Sequence, residues 1–481
     1  MNDAPALTAL RALSSEDLLR FLATQRWFGA KGASPTAARM IDAVVAPWGD
    51  GTFAFARIGV DAGGVEQMYQ LVFSSRDDAN IDAASIDEFR RGLADALARG
   101  AKSDANELRW IAEPVTPLDL DATTTRVGSA EQSNTSMLVG DRAIIKLFRT
   151  LRPGIHPDVE VTRFLATRAG FTNTPKLLGE ARFEDAHGVT VAAMMQELVV
   201  GASDAWSYAL ERGKEYFTAP KSQREPINKF VDDARQLGKI TRAMHDALAS
   251  DDDDPAFAAE PIEPEDLDRW AHRAQHMIRD ALALLEKAIA SGALPKERLP
   301  EAQALVKRRD HYMGWIDEID DALGDDVGMR IRVHGDYHLG QVLRTPANDF
   351  MVIDFEGEPS RSLEERREKT SPLKDVAGML RSFAYAAATL AMSVEKTQDV
   401  ATRELRAARW ERDVRAAYLE GYIATGEDDD GGFLPEETEH VRQLLNLFEA
   451  EKAFYELAYE LNNRPAWAWI PMRGISKLFI G

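Results

Sequence analysis

The spacing of hydrophobic positions changes along the chain and divides it into three stretches. Over residues 1–105 the apolar residues fall in short runs. Ala38–Trp48, Thr52–Val60 and Glu66–Phe73 read as strands, punctuated by Gly51 and the Gly63-Gly64 pair. Ile81–Arg99 then shows helical spacing and ends at Gly100. Residues 106–202 hold Thr/Val/Ile-rich strands separated by polar turns. Gly128–Asn134 is one turn, and Gly140-Asp141 is a tight hairpin signal. Pro157–Arg168 reads as a helix and Val189–Val200 as another strand. From residue 203 to 481 the i, i+3/i+4 period takes over. It predicts helices over Ile227–Leu248, Glu265–Ile289, Glu301–Leu323, Ala377–Ser393, Ala401–Thr425 and Glu436–Leu461. Only Arg330–Val333 and Phe350–Phe355 look like strands in this half.

Those two strand signals flank the chemistry. The first delivers Val333-His334-Gly335-Asp336-Tyr337-His338-Leu339-Gly340-Gln341, and the second delivers Phe350-Met351-Val352-Ile353-Asp354-Phe355-Glu356-Gly357. Gln341 and Asp354 are hard oxygen donors of the kind Mg²⁺ takes beside waters and phosphates. Asp336 is then left to accept a proton from a hydroxyl. A base Asp, an amide ligand five residues on and a second Asp on the next hairpin is the protein-kinase catalytic plan. Either Asp alone would read as a turn residue; the joint spacing argues otherwise. His334 is expected to hold the loop, and His338 is either structural or near substrate.

A kinase reading makes demands on residues 106–202. Ser129 and Ser133, in the Gly128–Asn134 turn, would let backbone N–H groups approach phosphate. Lys146 is a lone cation in an apolar strand, so it needs a counter-charge. Glu160 is the expected partner, with Asp158 and Glu180 as weaker choices. Glu197 and Val199, at the end of the Met194–Val199 strand, would offer main-chain groups to adenine.

Composition narrows the partners. The 58 basic and 79 acidic residues give a net charge of −21, which speaks against a nucleic-acid groove or an anionic membrane surface. The 481 residues contain no cysteine, so disulfides, thiolate nucleophiles and Cys-ligated zinc are excluded. No run approaches the roughly 18 apolar residues that span a bilayer, and residues 1–30 lack a signal-peptide core. Cytoplasm is the expected location.

Several motifs now carry a resemblance. Gln25-Arg26-Trp27-Phe28-Gly29-Ala30-Lys31, Lys146 with Glu160, His334–Gln341, Asp354–Pro359, Lys374–Ser382, Lys452–Glu460, Arg464–Trp467 and Ile470-Pro471 follow in order. Together they resemble the bacterial maltokinases, within the aminoglycoside-phosphotransferase-like branch of the kinase superfamily. The resemblance implies an α+β, bilobal protein-kinase-like fold. Its parts would be an N-terminal α/β cap subdomain (1–105), a nucleotide-binding N-lobe (106–202) and a mostly helical C-lobe (203–481). It implies transfer of the γ-phosphoryl group of ATP, with Mg²⁺, to the anomeric hydroxyl of maltose. Maltose 1-phosphate would then feed α-glucan synthesis, in association with a trehalose synthase.

Lys452, Tyr455 and Tyr459 lie at i, i+3 and i+7 and share a helix face. By itself this is a core stripe; the resemblance makes it a sugar-facing surface. Trp27 is expected to pack the cap against its neighbour. A kinase of the same architecture for another sugar such as glucosamine, and a sugar/ATP-binding pseudokinase regulating a glucan or trehalose enzyme, are the competing readings. An antibiotic phosphotransferase is disfavoured, because the chain carries a cap of about 100 residues.

Overall fold

A computed structural model describes all residues except 1–3, 77–81, 119, 121–123, 129–133, 221, 224–225, 320–322, 325, 360, 395–396, 424–431 and 481. The chain divides into two compact units, Met1–Gly201 and Ala202–Gly481.

The first unit is built on two sheets. Its strands are β1 Pro35–Val45, β2 Phe53–Ala62, β3 Val65–Ser74, β4 Ala101–Ala105, β5 Leu108–Pro114 and β6 Thr125–Val127. They continue with β7 Asn134–Val139, β8 Ala143–Phe148, β9 Thr150–Leu151, β10 Leu177–Asp185 and β11 Gly188–Glu197. One sheet has the order β1-β2-β3-β9 and the other β4-β5-β10-β11-β8-β7-β6. Strand β2 is buried on both faces. Phe53 and Phe55 enter one core with Phe89 and Trp110, whereas Ala54, Ala56, Ile58 and Val60 enter another with Leu18, Leu22 and Phe28. This is the period-two alternation of a strand between two layers. The Phe55 and Trp110 rings stack with centroids 4.5 Å apart.

The three expected N-terminal strands are present, with their ends moved by a few residues. The expected Ile81–Arg99 helix is Asp87–Arg99, preceded by a 3₁₀ turn at Ala83–Ser85. Strands β4, β5 and β10 were not legible. The β4–β5 hairpin runs across residue 105, where the hydrophobic spacing suggested a division, and joins the sheet that carries Lys146. The two sheets are also stitched by Gln70, whose Nε2 donates to the Phe148 and Ala192 carbonyls, both at 2.8 Å. Trp27 packs as expected: it is buried, and the Arg149 guanidinium lies 4.7 Å above its ring.

The second unit is mainly helical. Its long helices are Val231–Leu248, Pro264–Ser291, Leu373–Ser393, Val400–Ile423 and Thr438–Asn463, followed by Trp469–Ile480, which the spacing had not marked. The expected Glu301–Leu323 helix is broken: Leu299–Lys307 and Arg309–Asp317 meet at Arg308. The Phe350–Phe355 strand stops at Val352, because Asp354 takes a left-handed φ of 70° that no ladder accommodates. No helix among the described residues is long and apolar enough to cross a membrane.

Candidate active site

In the first unit, Lys146 sits on β8 with its side chain 10% exposed and its Nζ 2.9 Å from Asp158 Oδ2. Asp158 is fully buried. The structure thus gives Lys146 a contact with Asp158, one of the two weaker choices. Helix geometry gives the reason. The helix Pro157–Thr167 buries Asp158, Val161, Thr162 and Leu165, an i, i+3, i+4, i+7 stripe. Glu160 lies two positions round from Asp158 and is half-buried.

At the end of β11, the Glu197 N–H donates to the Lys176 carbonyl at 3.0 Å and the Leu198 N–H to the Arg142 carbonyl at 2.9 Å. The Val199 N–H, by contrast, enters no backbone bond among the described residues. Ser129 and Ser133 lie outside the described residues.

In the second unit, a short turn after Val333 carries Asp336. Gly335 has φ 85° and Gly357 φ 69°, and a Cβ on Gly335 would lie 3.3 Å from the Gly357 Cα. Only glycine suits both the conformation and the approach, so the two loops close on each other. His334 ties them further. Its Nε2 faces the Ile353 carbonyl at 3.0 Å, which makes that nitrogen the donor. Its Nδ1 is then the acceptor for the Asp336 N–H at 3.4 Å. The Ile353 N–H donates to the Gln341 carbonyl at 3.0 Å, so Gln341 and Asp354 leave the same end of the Val342–Arg344/Phe350–Val352 hairpin.

Beneath the loop lies a buried carboxylate to which the sequence had assigned no role. Asp375 accepts the His334 N–H at 2.7 Å, the Gly335 N–H at 2.9 Å and the His245 Nε2–H at 3.2 Å. The His245 Nδ1 is 2.8 Å from the Tyr422 hydroxyl. Burial would raise the Asp375 pKa, but the His245 hydrogen bond and the loop N–H donors hold it below its ordinary value. Asp375 is a positioning residue: it fixes the backbone just before Asp336. The legible signal was an acidic residue in the buried stripe of a mostly apolar helix.

The Asp336 carboxylate meets Lys452, with Nζ 3.3 Å from its Oδ1. Lys452 also lies 3.6 Å from Glu358 Oε1 and 5.2 Å over the Tyr455 ring. Burial would lower the Lys452 pKa, but Asp336 and Glu358 raise it above its ordinary value. Burial likewise opposes Glu358 ionisation, yet Lys374, Lys452 and Arg361 pull its pKa down to about 2. Burial holds the Lys374 ammonium below its ordinary value despite Glu358.

His338 accepts the Gly340 N–H at 3.0 Å through Nδ1, so its Nε2 carries the proton and points toward Asp336 Oδ2, 4.0 Å away. Packing around the ring depresses the His338 pKa against the pull of Asp336, and Lys452 adds to the depression. Asp336, Glu358, Lys452 and Tyr455 line one small recess of about 40 Å³, room for a few ordered waters. Tyr459 is not among the recess residues; it is 48% exposed, with Arg464 over its ring.

Residues 21–98 match the family model described as the maltokinase N-terminal cap domain. Over 350 residues the chain is 26% identical to a glucosamine kinase of Streptacidiphilus jiangxiensis, covering 72% of each protein. Over 346 residues it is 27% identical to a glucosamine kinase of Mycolicibacterium smegmatis, covering 71% of this chain and 76% of that one. The solved structure of a glucosamine kinase in complex with glucosamine, ADP and inorganic phosphate superposes with a TM-score of 0.71 at 23% identity, over 99% of both chains. The chain is a maltokinase-like kinase-fold protein. A second glucosamine kinase crystal form superposes over 93% of this kinase and 95% of that chain, with a TM-score of 0.70. These solved structures fix the fold of the kinase. Its two units each carry part of the expected machinery: Lys146 and Asp158 in one, Asp336, Gln341 and Asp354 in the other.

Proposed function

We propose that this sugar kinase transfers the γ-phosphoryl group of ATP to the anomeric hydroxyl of maltose. Asp336 orients the hydroxyl and takes its proton. Lys146, oriented by Asp158, binds the α/β-phosphates, and Val199 offers its N–H to adenine. Gln341 and Asp354 supply the hard oxygens that would hold Mg²⁺, which neutralises phosphate charge when bound. The fit rests on their departure from one hairpin end, tied by the Ile353–Gln341 hydrogen bond. Lys452 and Tyr455 stand at the mouth of the recess, where a cation and a flat ring suit the hydroxyls and apolar face of a pyranose. The recess itself is too small for a sugar ring.

One observation supports a neutral acceptor. Each carboxylate around the recess already has a cationic or N–H partner. Glu358 is 2.6 Å from Arg361, Glu451 is 2.7 Å from Arg273, Asp375 is held by the loop N–H groups, and Asp336 meets Lys452. A sugar ammonium would have to displace one of these partners. The names of the relatives support the second reading, glucosamine.

Phosphate transfer from ATP against a panel of maltose, glucosamine and glucose decides between them. The expected result is a kcat/KM for maltose at least about tenfold above glucosamine, a difference of about 1.4 kcal/mol. Preferred turnover of glucosamine overturns the acceptor assignment. Asp336→Asn should remove turnover while ATP binding persists, which separates an enzyme from a pseudokinase. Association with a trehalose synthase is part of the same proposal and is read by co-migration of the purified proteins.

A further inference from the structure

A second hollow lies in residues 202–481 and shares no lining residue with the Asp336 recess. Its volume is about 440 Å³. Small-molecule sites commonly occupy about 300–1,000 Å³. The floor is the alanine face of the helix Leu373–Ser393, where Ala384, Ala387, Ala388 and Ala391 lie at i, i+3, i+4 and i+7. Larger apolar residues at these places would have filled the space.

The walls are charged. Of the eight charged lining residues, five are Arg or Lys, a local excess of cations in a chain of net charge −21. Arg298 lies 4.8 Å over the Trp469 ring, which holds its guanidinium at the wall. Arg473, half-buried, lines the hollow as well.

Arg381 connects this hollow to the recess. It is 2% exposed, and its Nε and Nη2 donate to Glu456 Oε2 at 2.9 and 2.7 Å. Its Nη1 makes no hydrogen bond among the described residues. Gly474 lets the guanidinium pack against the backbone: a Cβ there would clash with Nη1. Glu456 lies one helical turn beyond Lys452, and Lys452 touches Asp336 at 3.3 Å. A buried guanidinium therefore presents one edge to the hollow and grips, with the other, the helix that holds the catalytic carboxylate.

Arginines bind phosphate oxygens through paired N–H donors, and an alanine floor suits the apolar face of a pyranose. We propose that this hollow binds a phosphorylated sugar, and that its occupation is transmitted to Asp336 through Arg381, Glu456 and Lys452. The binding half stands on the hollow alone. The coupling half rests on the assignment of Asp336 as base.

Calorimetric titration of the full-length chain with glucose 1-phosphate tests the first half. Arg473→Gln should weaken binding about tenfold, or about 1.4 kcal/mol, and Ala388→Phe should abolish it while the chain still melts cooperatively. Free phosphate and free maltose should each bind far more weakly than the sugar phosphate. Equal affinity for wild type and both variants overturns the site, as does the absence of binding to wild type. Free phosphate binding as tightly as glucose 1-phosphate overturns the sugar component. Loss of binding in Asp336→Asn with retention in Arg473→Gln puts the probe in the recess and also overturns the site.

For the second half, glucose 1-phosphate should change kcat or the sugar KM of wild type and leave those of Arg473→Gln unchanged. Binding without such a change overturns the coupling. Absence of sugar turnover would sink the kinase reading and leave the binding result intact.

Discussion

Asp375 gives the sharpest test of how the catalytic loop is held. Three N–H donors converge on its two oxygens, at 2.7, 2.9 and 3.2 Å. Asn is nearly isosteric but keeps one carbonyl oxygen and turns an NH₂ toward at least one of these donors. One buried donor loses its partner, at about 1–3 kcal/mol, and the remaining bonds lose their charge assistance, at about 1 kcal/mol. The expected loss is about 2–4 kcal/mol. In a unit of this size that corresponds to a fall in Tm of about 5–10 °C, read by differential scanning fluorimetry. Because His334 and Gly335 directly precede Asp336, kcat should fall by about 10²-fold from misplacement of the base, while KM for ATP changes little. Asp336→Asn should show the opposite pattern, with kcat lost and Tm retained. An Asp375→Asn enzyme with wild-type Tm and kcat within about threefold of wild type would refute the reasoning.

Other substitutions read other parts of the molecule. Asp158→Asn removes the buried anion 2.9 Å from the Lys146 ammonium; breaking such a pair costs about 3–5 kcal/mol, so Tm should fall and KM for ATP should rise, by more than in Glu160→Gln. Glu358 has a folded pKa of about 2 against an ordinary 4.5. A depressed carboxylate contributes stability above its unfolded pKa and loses it as pH falls through the folded one. That difference is worth about 3 kcal/mol, to be lost between about pH 4.5 and 2. Denaturant melts of wild type and Glu358→Gln should therefore converge at the acid end, and a constant gap across that window would refute the assignment. Trp27→Ala removes a buried ring and the surface under Arg149, so it should cost about 3–5 kcal/mol in Met1–Gly201. If limited proteolysis of that unit is unchanged, Trp27 does not hold the cap to its neighbouring sheet.

What the sequence revealed depended on whether a signal was local. That Asp336, Gln341 and Asp354 lie on one loop and the hairpin beside it was legible, because it follows from spacing along the chain. The long helices were legible because each carries its own period. Strand β10 was missed although Glu180-Ala181-Arg182-Phe183-Glu184 alternates polar and buried apolar residues, because only one short stretch carries the pattern and Gly179 interrupts the apolar start. The contact between Lys146 and Asp158 was ranked too low for a related reason. Separation in sequence admits Asp158 and Glu160 equally, and only the phase of the helix against β8 selects the buried one.

Asp375 shows the same limit more strongly. It lies 40 and 41 residues from the N–H groups it receives, so nothing local to the catalytic loop could announce it. A buried acid on an apolar helix states only that some donors must meet it. Which donors they are is a property of the fold, and here they belong to the residues that aim the base. Spacing along the chain can thus nominate groups for the chemistry, whereas the groups that hold them still become visible only once the packing is known.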